Sequence, residues 1–553
     1  MIISAEAFSR PIIFPFSMSR ISLLLTVMAL LLWSLSLIQA EFNIGFYGLI
    51  HSLPVTFFIA LCILTIASFL LWNSPRNHGT LLCFQLCCLI AMLWLTPVLI
   101  GSNSVFMDMT YSFYFSYVDY IDQFSHLNPA LLWYHNWPGM CILQSMFVDI
   151  TGLNNLDLIA FSGTFLMQFL VLFPLYLFFK YTIVRSNYRW TALWIFYLGN
   201  WIGQIYVSPQ GMAYFLFMLL IAVLIKPGLA KEGNITVTER LKAIIFMASL
   251  VITHILTSIA GFLSIAALWV AKRTQLINIL IIAAVFIIAW TMYGATTQFE
   301  YQLPIFLDRA FRLDTLFTSF FTGSDTTGSL SHTTINTLRI SFSALFCVIG
   351  LGGAIISRKF KEKADSTILA LAIVAIFMAF TGLYTFELIM RTYMFVLVPI
   401  GYFGVKLLNT RITSGILCFA LLIALPLHVI THYGNAVRDT VPRGEIAYWH
   451  FIQDNTQQGY LIGGLRPREY SYAGYYKVDF QQLEWNNSLF TSEYIKSDKP
   501  QYINVGRYEQ SIQEFNYDNT ELIPQARLRL EESTHYNLIY VNRDVDLYIG
   551  ETD

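Results

Sequence analysis

A segment from Val105 to Met140 holds three aspartates, two histidines and many aromatic residues, but no lysine or arginine. It reads VFMDMTYSFYFSYVDYIDQFSHLNPALLWYHNWPGM, and its ionisable residues are Asp108, Asp119, Asp122, His126 and His135. Carboxylate and imidazole side chains can move protons in catalysis. The alternatives are structural, because Asp108 could cap a helix and Asp119 and Asp122 fit a solvated helix face. Both interpretations stay open on the sequence.

A second group of charged side chains lies later in the chain. Glu387 and Arg391 are four residues apart in TFELIMRTYMF, at the edge of an apolar segment. Because charges are costly in lipid, they should face the helix bundle or a hydrated cavity. The guanidinium of Arg391 suits a phosphate, although a simple intrahelical ion pair would also account for both residues. Further phosphate-binding candidates are Arg309 and Arg312 on a short, mostly solvated helix, and His254 at the turn of VITHILTS.

The elements that must position these side chains are membrane spans. The chain is 56% hydrophobic and only 12% charged, about half the charged fraction of a soluble domain. Apolar runs long enough to cross about 30 Å of hydrocarbon recur along it. We predict an all-α polytopic membrane bundle of about 13 transmembrane helices. The seven cysteines lie in or beside apolar segments and indicate no disulfide set. We predict no metal site and no nucleic-acid partner.

The basic residues predict the orientation, because they mark cytoplasmic loops. No lysine or arginine occurs between Arg76 and Lys180, which places the loop between them outside the cell. The N-terminus is then cytoplasmic and the chain leaves the last span on the outer side. The spans are predicted near residues 21–40, 50–72, 81–100, 158–179, 190–206, 209–225, 243–254, 257–271, 276–293, 335–357, 367–384, 391–407 and 412–431.

The composition changes after the last span, where charged residues become frequent. EIAYWHFIQDNT has the spacing of a helix, whereas QGYLIGG, KPQYINVGR and YNLIYVNRDVDLYIG are rich in the residues of strands. We predict a small extracytoplasmic α/β domain of about 120 residues.

These features divide the chain into four parts. Residues 1–80 hold two N-terminal transmembrane helices, and residues 81–334 hold a module with outer loops 101–157 and 294–334. Residues 335–431 hold the C-terminal transmembrane helices, and residues 432–553 hold the α/β domain. The first outer loop is predicted to carry two interfacial helices, one in MTYSFYFSYVDYIDQF and one beginning at Pro138.

This organisation resembles the GT-C superfamily of integral-membrane glycosyltransferases. The residues that carry the resemblance are MDMTYSFYFSYVDYI, WYHNWPG, SPQGMAY, ITHILTS and ELIMRTYMFVLVP. They are most similar to an archaeal-like prokaryotic branch with a small C-terminal outer domain. The WWDYG motif of the oligosaccharyltransferase branch does not occur, which disfavours block transfer to protein.

The resemblance implies transfer of a sugar from a polyprenyl-phosphate-linked donor to a glycan, lipid or protein acceptor on the outer face. Asp108 matches the aspartate that opens the first outer loop and acts as general base. The absence of basic neighbours then has a chemical reason, because an ion-paired carboxylate is a weaker base. Arg391, held by Glu387, would bind the donor phosphate. Participation of a divalent cation is left open by the resemblance.

Three other classes of protein are compatible with a polytopic bundle. A transporter or flippase usually has internal repeats and ionisable residues at mid-membrane, whereas here they cluster at the outer edge. A polymerase or ligase of lipid-linked glycans should carry mainly arginine and histidine in its outer loop, and this loop is acidic. A membrane scaffold that binds surface glycans is the third class.

Overall fold

A computed structural model of the chain describes residues 18–101, 104–106, 115–130, 133–152, 156–229, 235–271, 276–309, 328–357, 363–379, 386–455, 460–464, 478–482 and 501–550. The membrane part contains the helices α1 Met18–Gln39, α2 Val55–Trp72, α3 Gly79–Ile90, α4 Thr96–Ile100, α5 Phe115–Phe124, α6 Gly139–Thr151, α7 Leu156–Thr182, α8 Ser186–Gly199, α9 Pro209–Leu229, α10 Val237–Thr253, α11 Ile255–Val270, α12 Ile277–Ala289, α13 Thr296–Arg309, α14 Leu330–Ile356, α15 Lys363–Ala379, α16 Phe386–Gly404 and α17 Arg411–Tyr433. The π-helical turns Ala91–Leu95 and Trp290–Gly294 continue α3 and α12.

The prediction of a polytopic helical membrane protein is confirmed. Every predicted span overlaps a helix of the described chain. Within that part, 9 helices are long and apolar enough to cross a membrane. The shorter ones include α8, α10 and α11, which belong to the two tight pairs that the sequence predicts.

Helix α8 ends earlier than the predicted span 190–206, at Gly199. Two histidines of α17 bind carbonyl groups at the end of α8. Nδ1 of His428 binds the carbonyl of Leu198 at 2.8 Å, and Nδ1 of His432 binds that of Trp201 at 2.7 Å. Carbonyls at a helix end need such partners once they leave water. The chain therefore runs without helical bonds until α9 begins at Pro209.

His428 and His432 are also an i, i+4 histidine pair, a spacing that can bind metal ions and that was not among the predicted sites. Both Nδ1 atoms are occupied by backbone carbonyls, and Trp94 packs edge-on against the two rings. In the described residues, no group of three histidine, cysteine, aspartate or glutamate side chains could hold a metal ion. We assign the pair to helix packing.

The chain after α17 forms an α/β domain, as predicted. Its described elements are β2 Thr440–Pro442, α18 Arg443–Asn455, β3 Tyr460–Gly464, β4 Val478–Gln482, β5 Tyr502–Gly506, α19 Arg507–Tyr517, α20 Leu522–Glu531, β6 Tyr536–Val541 and β7 Val545–Gly550. Five strands form one sheet in the order β4-β3-β5-β7-β6. Strands β3, β4 and β5 are mutually parallel, whereas β7 pairs antiparallel with both β5 and β6.

A short strand ties this domain to the loop that follows α4. β1 Ser104–Phe106 pairs antiparallel with β2, with Val105 opposite Val441. β1 directly follows the helix that ends at Ile100. The entry to the loop is thereby attached both to the membrane bundle and to the start of the α/β domain.

Candidate functional site

A polar cleft lies where four helices meet at one end of the bundle, which we call the loop end because the 101–155 connection emerges there. Its lining residues are Gln210, His254, Leu256, Thr257, Met378, Arg391, Thr392 and Phe395. They come from α9, the α10–α11 junction, α15 and α16. The cleft is narrow, with a volume of about 10 Å³. Two phosphate-binding candidates from the sequence, His254 and Arg391, thus share one cleft.

His254 is placed by a one-residue turn between two helices. Its backbone is extended, with φ −162° and ψ 118°, and its N–H donates to the carbonyl of Leu250 at 2.9 Å. Nδ1 of His254 accepts from the N–H of Thr257 at 3.4 Å and lies 2.9 Å from the hydroxyl oxygen of Thr257. The side chain of His254 thereby caps the start of α11. With Nδ1 used as an acceptor, the neutral ring carries its proton on Nε2. His254 therefore contributes a hydrogen-bond donor to the site.

Two other polar groups of the cleft are buried and have no partner in the described residues. These are Oε1 of Gln210 and the hydroxyl of Thr392, whose residues are 5% and 6% exposed. Buried polar atoms in native proteins are nearly always hydrogen-bonded, so each exception needs an explanation. A polar ligand in the cleft would supply the missing bonds.

A small apolar cavity lies next to the polar cleft. It has a volume of about 30 Å³ and shares Met378 and Phe395 with the cleft. Its remaining lining is almost entirely apolar and comprises Phe178, Phe217, Met218, Ile221, Ala260, Ser264, Leu371, Val374, Ala375, Val398 and Pro399. A polar cleft therefore lies beside an apolar cavity.

The direction of this cavity follows from the order of the lining residues along each helix. On α9 the cleft uses Gln210 and the cavity extends to Ile221, and on α16 the cleft uses Arg391 and the cavity extends to Pro399. At a rise of 1.5 Å per residue, these separations are about 16 Å and about 12 Å along the helix axes. The polar cleft thus lies at the loop end, and the apolar cavity extends from it into the membrane-spanning part.

The two helices of the loop between α4 and α7 pack beside the cleft. A Cβ at Gly139, the first residue of α6, would lie 2.6 Å from the hydroxyl oxygen of Thr253, so only glycine permits this approach. Thr253 precedes His254 at the end of α10. The observed α6 begins after Pro138, as predicted, and α5 covers residues 115–124 of the predicted first interfacial helix.

Asp122 joins the two loop helices to each other. The hydroxyl of Ser145 on α6 donates to Oδ1 of Asp122 on α5. Partial burial raises the pKa of Asp122, the hydrogen bond from Ser145 opposes that rise, and nearby Asp149 adds to it. This contact gives Asp122 a structural role in the helix pair.

The two histidines of the loop also bind within the loop. The ring of His126 contacts the hydroxyl of Tyr120 at 3.1 Å and the carbonyl of Phe124 at 2.9 Å. His135 is 1% exposed, and its Nε2 binds the carbonyl of Tyr117 at 3.0 Å. Neither histidine lines the polar cleft. Their contacts instead fix the path of the chain between α5 and α6.

We expect the loop to loosen in mild acid because of His135. Burial lowers the pKa of this imidazole, and Nδ1 accepts from the N–H of Asn128 at 2.9 Å, a bond that protonation would break. Because the pKa is lower in the folded than in the unfolded loop, the stabilisation is complete above about pH 6.5 and is lost as the pH falls below it. Hydrogen exchange of α5, corrected for intrinsic rates, should show less protection at about pH 5.5 than at about pH 7.5.

His135→Gln is the control for this prediction, because glutamine does not titrate. In this variant, the ratio of the protection of α5 at about pH 5.5 to its protection at about pH 7.5 should be close to one, whatever the protection at neutral pH. An equal loss of protection in acid for the wild type and the variant would contradict the assignment to His135.

The other site residues from the sequence are placed as follows. Asp108 and Arg312 lie outside the described residues, as do the side chains of Asp119, Arg309 and Glu387. The backbone of Asp119 belongs to α5, that of Arg309 ends α13, and that of Glu387 is in the first turn of α16. The pairing of Glu387 with Arg391 stays a prediction.

Gln210, Thr257 and Thr392 are site residues that were not predicted from the sequence. Gln210 and Thr257 lie in SPQGMAY and ITHILTS, and Thr392 follows Arg391 directly. Each is an isolated polar residue near the end of an apolar helix, which is a weak signal on its own. Their convergence on one cleft appears only in the folded bundle.

Comparison with known proteins gives structural similarity at low sequence identity. No family model and no curated protein sequence matches the chain. Among solved structures, the chain is similar to an oligosaccharyltransferase of Archaeoglobus fulgidus in its apo form, with a TM-score of 0.49 and 13% identity over 86% of this chain and 75% of that one. The same organism's oligosaccharyltransferase AglB, in complex with an inhibitory peptide and a dolichol-phosphate, matches with a TM-score of 0.45 and 13% identity over 90% and 74%.

A second similar structure is ArnT from Cupriavidus metallidurans bound to undecaprenyl phosphate. Its TM-score is 0.47, with 10% identity over 84% of this chain and 97% of that chain. All these TM-scores are below 0.5. No functional residue is transferred from these structures to this chain.

Proposed function

We propose that the protein is a membrane glycosyltransferase that moves a sugar from a polyprenyl-phosphate-linked donor to an acceptor at the loop end of the bundle. The observation that carries the proposal is the polar cleft around Arg391 and His254 with an apolar cavity beside it, farther along the membrane-spanning helices. This arrangement matches the donor, which has a charged phosphate next to a long hydrocarbon chain. The resemblance of the outer-loop segments to GT-C enzymes indicates the same class.

The phosphate is proposed to lie against Arg391. A guanidinium presents several N–H donors in a plane, which suits the oxygens of a phosphate. The Nε2–H of His254 would add a donor, and Gln210 and Thr392 would complete the polar wall. Because the phosphate gains negative charge as the sugar leaves, these donors stabilise the transition state more than the bound donor.

Asp108 is the proposed general base. Its carboxylate would take the proton from an acceptor hydroxyl as that oxygen forms a bond to the anomeric carbon of the sugar. The bond from this carbon to the phosphate oxygen breaks, and its electron pair leaves with the polyprenyl phosphate. The segment before Asp108 supports the placement, since β1 anchors the entry to the loop on the α/β domain.

The test begins with donor binding. Full-length protein in lipid nanodiscs should bind undecaprenyl phosphate, detected by native mass spectrometry. Ala375 is 4% exposed and lines the apolar cavity, so Ala375→Trp should fill the cavity and abolish binding. The neighbouring Ile376 is 48% exposed on the helix surface, and Ile376→Trp is the matched control.

Transfer is then measured with radiolabelled polyprenyl-phosphate sugars and membrane glycans as acceptors. Label should move to the acceptor with wild-type protein and with Ile376→Trp, but not with Ala375→Trp. Equal lipid binding by the two tryptophan variants would show that the apolar cavity does not bind the lipid chain. Uptake of the lipid across the bilayer without transfer would favour the transporter or flippase class.

The orientation is part of the same proposal, with the N-terminus cytoplasmic and the α/β domain outside. In a variant without native cysteines, Gln123→Cys in the loop and Glu531→Cys in the α/β domain should both react with an impermeant thiol reagent in intact cells. Val184 lies between α7 and α8 at the opposite end of the bundle and is 91% exposed. Val184→Cys should react only after the cells are opened, and the reverse pattern would invert the topology.

A further inference from the structure

A large polar pocket lies between the membrane bundle and the α/β domain, away from the cleft described above. It has a volume of about 640 Å³. The bundle contributes the 44–46 segment after α1 and the start of α14, and the α/β domain contributes α19, Arg527 of α20 and the β6–β7 turn. None of its lining residues belongs to the polar cleft or the apolar cavity.

The walls of this pocket are bonded to one another. The N–H of Ser329, before α14, donates to the carbonyl of Phe515 on α19 at 3.0 Å. The hydroxyl of Ser331 donates to the carbonyl of Phe46. The ring of Phe515 also packs edge-on against His332, with 4.9 Å between ring centroids. The two parts of the chain thus form a defined pocket.

Three arginines line the pocket with different degrees of pairing. Nε of Arg527 is 2.5 Å from the carboxylate of Asp546, and a guanidinium nitrogen of Arg507 is 3.8 Å from that of Asp544. Arg543 is exposed, and in the described part of the chain no hydrogen bond or ion pair holds its side chain. Arg543 therefore offers a planar set of N–H donors to an anion.

Hydrogen-bond acceptors lie beside these donors. The carboxylate of Asp544 binds the N–H of Gly444 at 3.1 Å, and that of Glu514 binds the amide of Gln510 at 2.8 Å. Each carboxylate can accept further bonds, because it has two oxygens with several lone pairs. Phe46 is 42% exposed and adds an apolar face at the rim.

We propose that this pocket binds an acidic saccharide, with a sugar carboxylate on Arg543 and sugar hydroxyls on the neighbouring carboxylates and amides. Hydroxyls both donate and accept, so they can use Asp544 and Glu514 as well as the arginines. An acidic peptide fits less well, because its carboxylates would meet those of Asp544 and Glu514 with few hydroxyl donors to offset the repulsion. If the protein is the proposed transferase, this saccharide would be the acceptor chain. Only this acceptor role rests on the proposed function, whereas binding of the saccharide does not.

The experiment measures binding of an oligogalacturonate to full-length protein in nanodiscs by isothermal titration calorimetry, without any donor lipid. Arg543→Ala should weaken binding by about tenfold or more, since it removes a charge-assisted hydrogen bond. Arg543→Lys keeps the charge but not the planar fork, and its loss should be intermediate. Arg529→Ala is the matched control, because Arg529 is exposed on α20 and does not line the pocket.

Three further probes separate the candidate ligands. A neutral maltooligosaccharide of equal length should bind much more weakly, and so should inorganic phosphate and an oligoglutamate of equal charge. Equal binding of the oligoglutamate, or of inorganic phosphate, would overturn the saccharide assignment. So would equal losses in Arg543→Ala and Arg529→Ala, which would indicate only a general charge effect.

These measurements are independent of the proposed transfer reaction. The Asp108→Asn variant should bind the oligogalacturonate as tightly as the wild type, because the pocket is formed by other segments. Saccharide binding without sugar transfer would support the pocket assignment and contradict the proposed transferase activity. Sugar transfer without saccharide binding would support the transferase activity and contradict the pocket assignment.

Discussion

Asp108→Asn is expected to lower the rate of sugar transfer by about 10²-fold or more, since general-base catalysis contributes on this scale. Asparagine keeps the shape of the side chain but cannot take up the proton of the acceptor hydroxyl. Binding of undecaprenyl phosphate should be unchanged, because the proposed phosphate site consists of Arg391, His254 and their neighbours. The measurement is single-turnover transfer from a labelled polyprenyl-phosphate sugar, with lipid binding determined in parallel.

The matched control for this variant is Asp149→Asn. Asp149 is an exposed aspartate on α6 of the same loop, and its removal should leave transfer within about twofold, as expected for a surface carboxylate. If Asp108→Asn transfers sugar at a normal rate, Asp108 serves only as a helix cap. If it also fails to bind the lipid or to fold, the variant reports on structure, and Asp108→Glu then separates the two roles by restoring a base.

Arg391→Ala is expected to reduce both donor binding and the transfer rate, with a loss in transfer of about 10²-fold to 10³-fold, as for removal of other groups that stabilise transition-state charge. Arg391→Lys should recover part of the affinity, because the charge returns without the paired donors. Native mass spectrometry with undecaprenyl phosphate measures the affinity, and the labelled transfer assay measures the rate. Unfolding temperatures establish that the variants retain the bundle.

Arg411→Ala is the control for Arg391. Arg411 is the first residue of α17, is exposed and does not line the polar cleft. Its replacement should leave lipid binding unchanged. Undiminished lipid binding in Arg391→Ala would show that Arg391 has only a structural role in its helix. Arg309 and Arg312 would then be the next candidates for the donor site.

The sequence determined the membrane part of the fold. A membrane span is defined by length and hydropathy within about 20 consecutive residues, which is local information. The histidine-capped end of α8 could not be seen this way, because its carbonyls are bound by residues more than two hundred positions away in the chain. For the same reason the predicted span 190–206 was too long by seven residues beyond Gly199.

In the α/β domain, the sequence indicated one helix and the apolar strands but not β4, α19 or α20. β4 is an edge strand with the sequence VDFQQ, and edge strands need less apolar surface than central ones. α19 and α20 are rich in polar and charged residues, so they lack the apolar stretch by which the sequence marks the other helices. Packing on the central strands compensates for the weak local pattern.

For the candidate site, the sequence identified the chemistry-bearing residues His254 and Arg391 individually. Only the tertiary structure placed them in one cleft with Gln210 and set an apolar cavity beside that cleft. The pocket around Arg543 likewise depends on contacts between α14 and α19. Residue type and hydropathy are properties of the chain itself, whereas a cavity and an unpaired buried polar atom depend on which distant segments pack together.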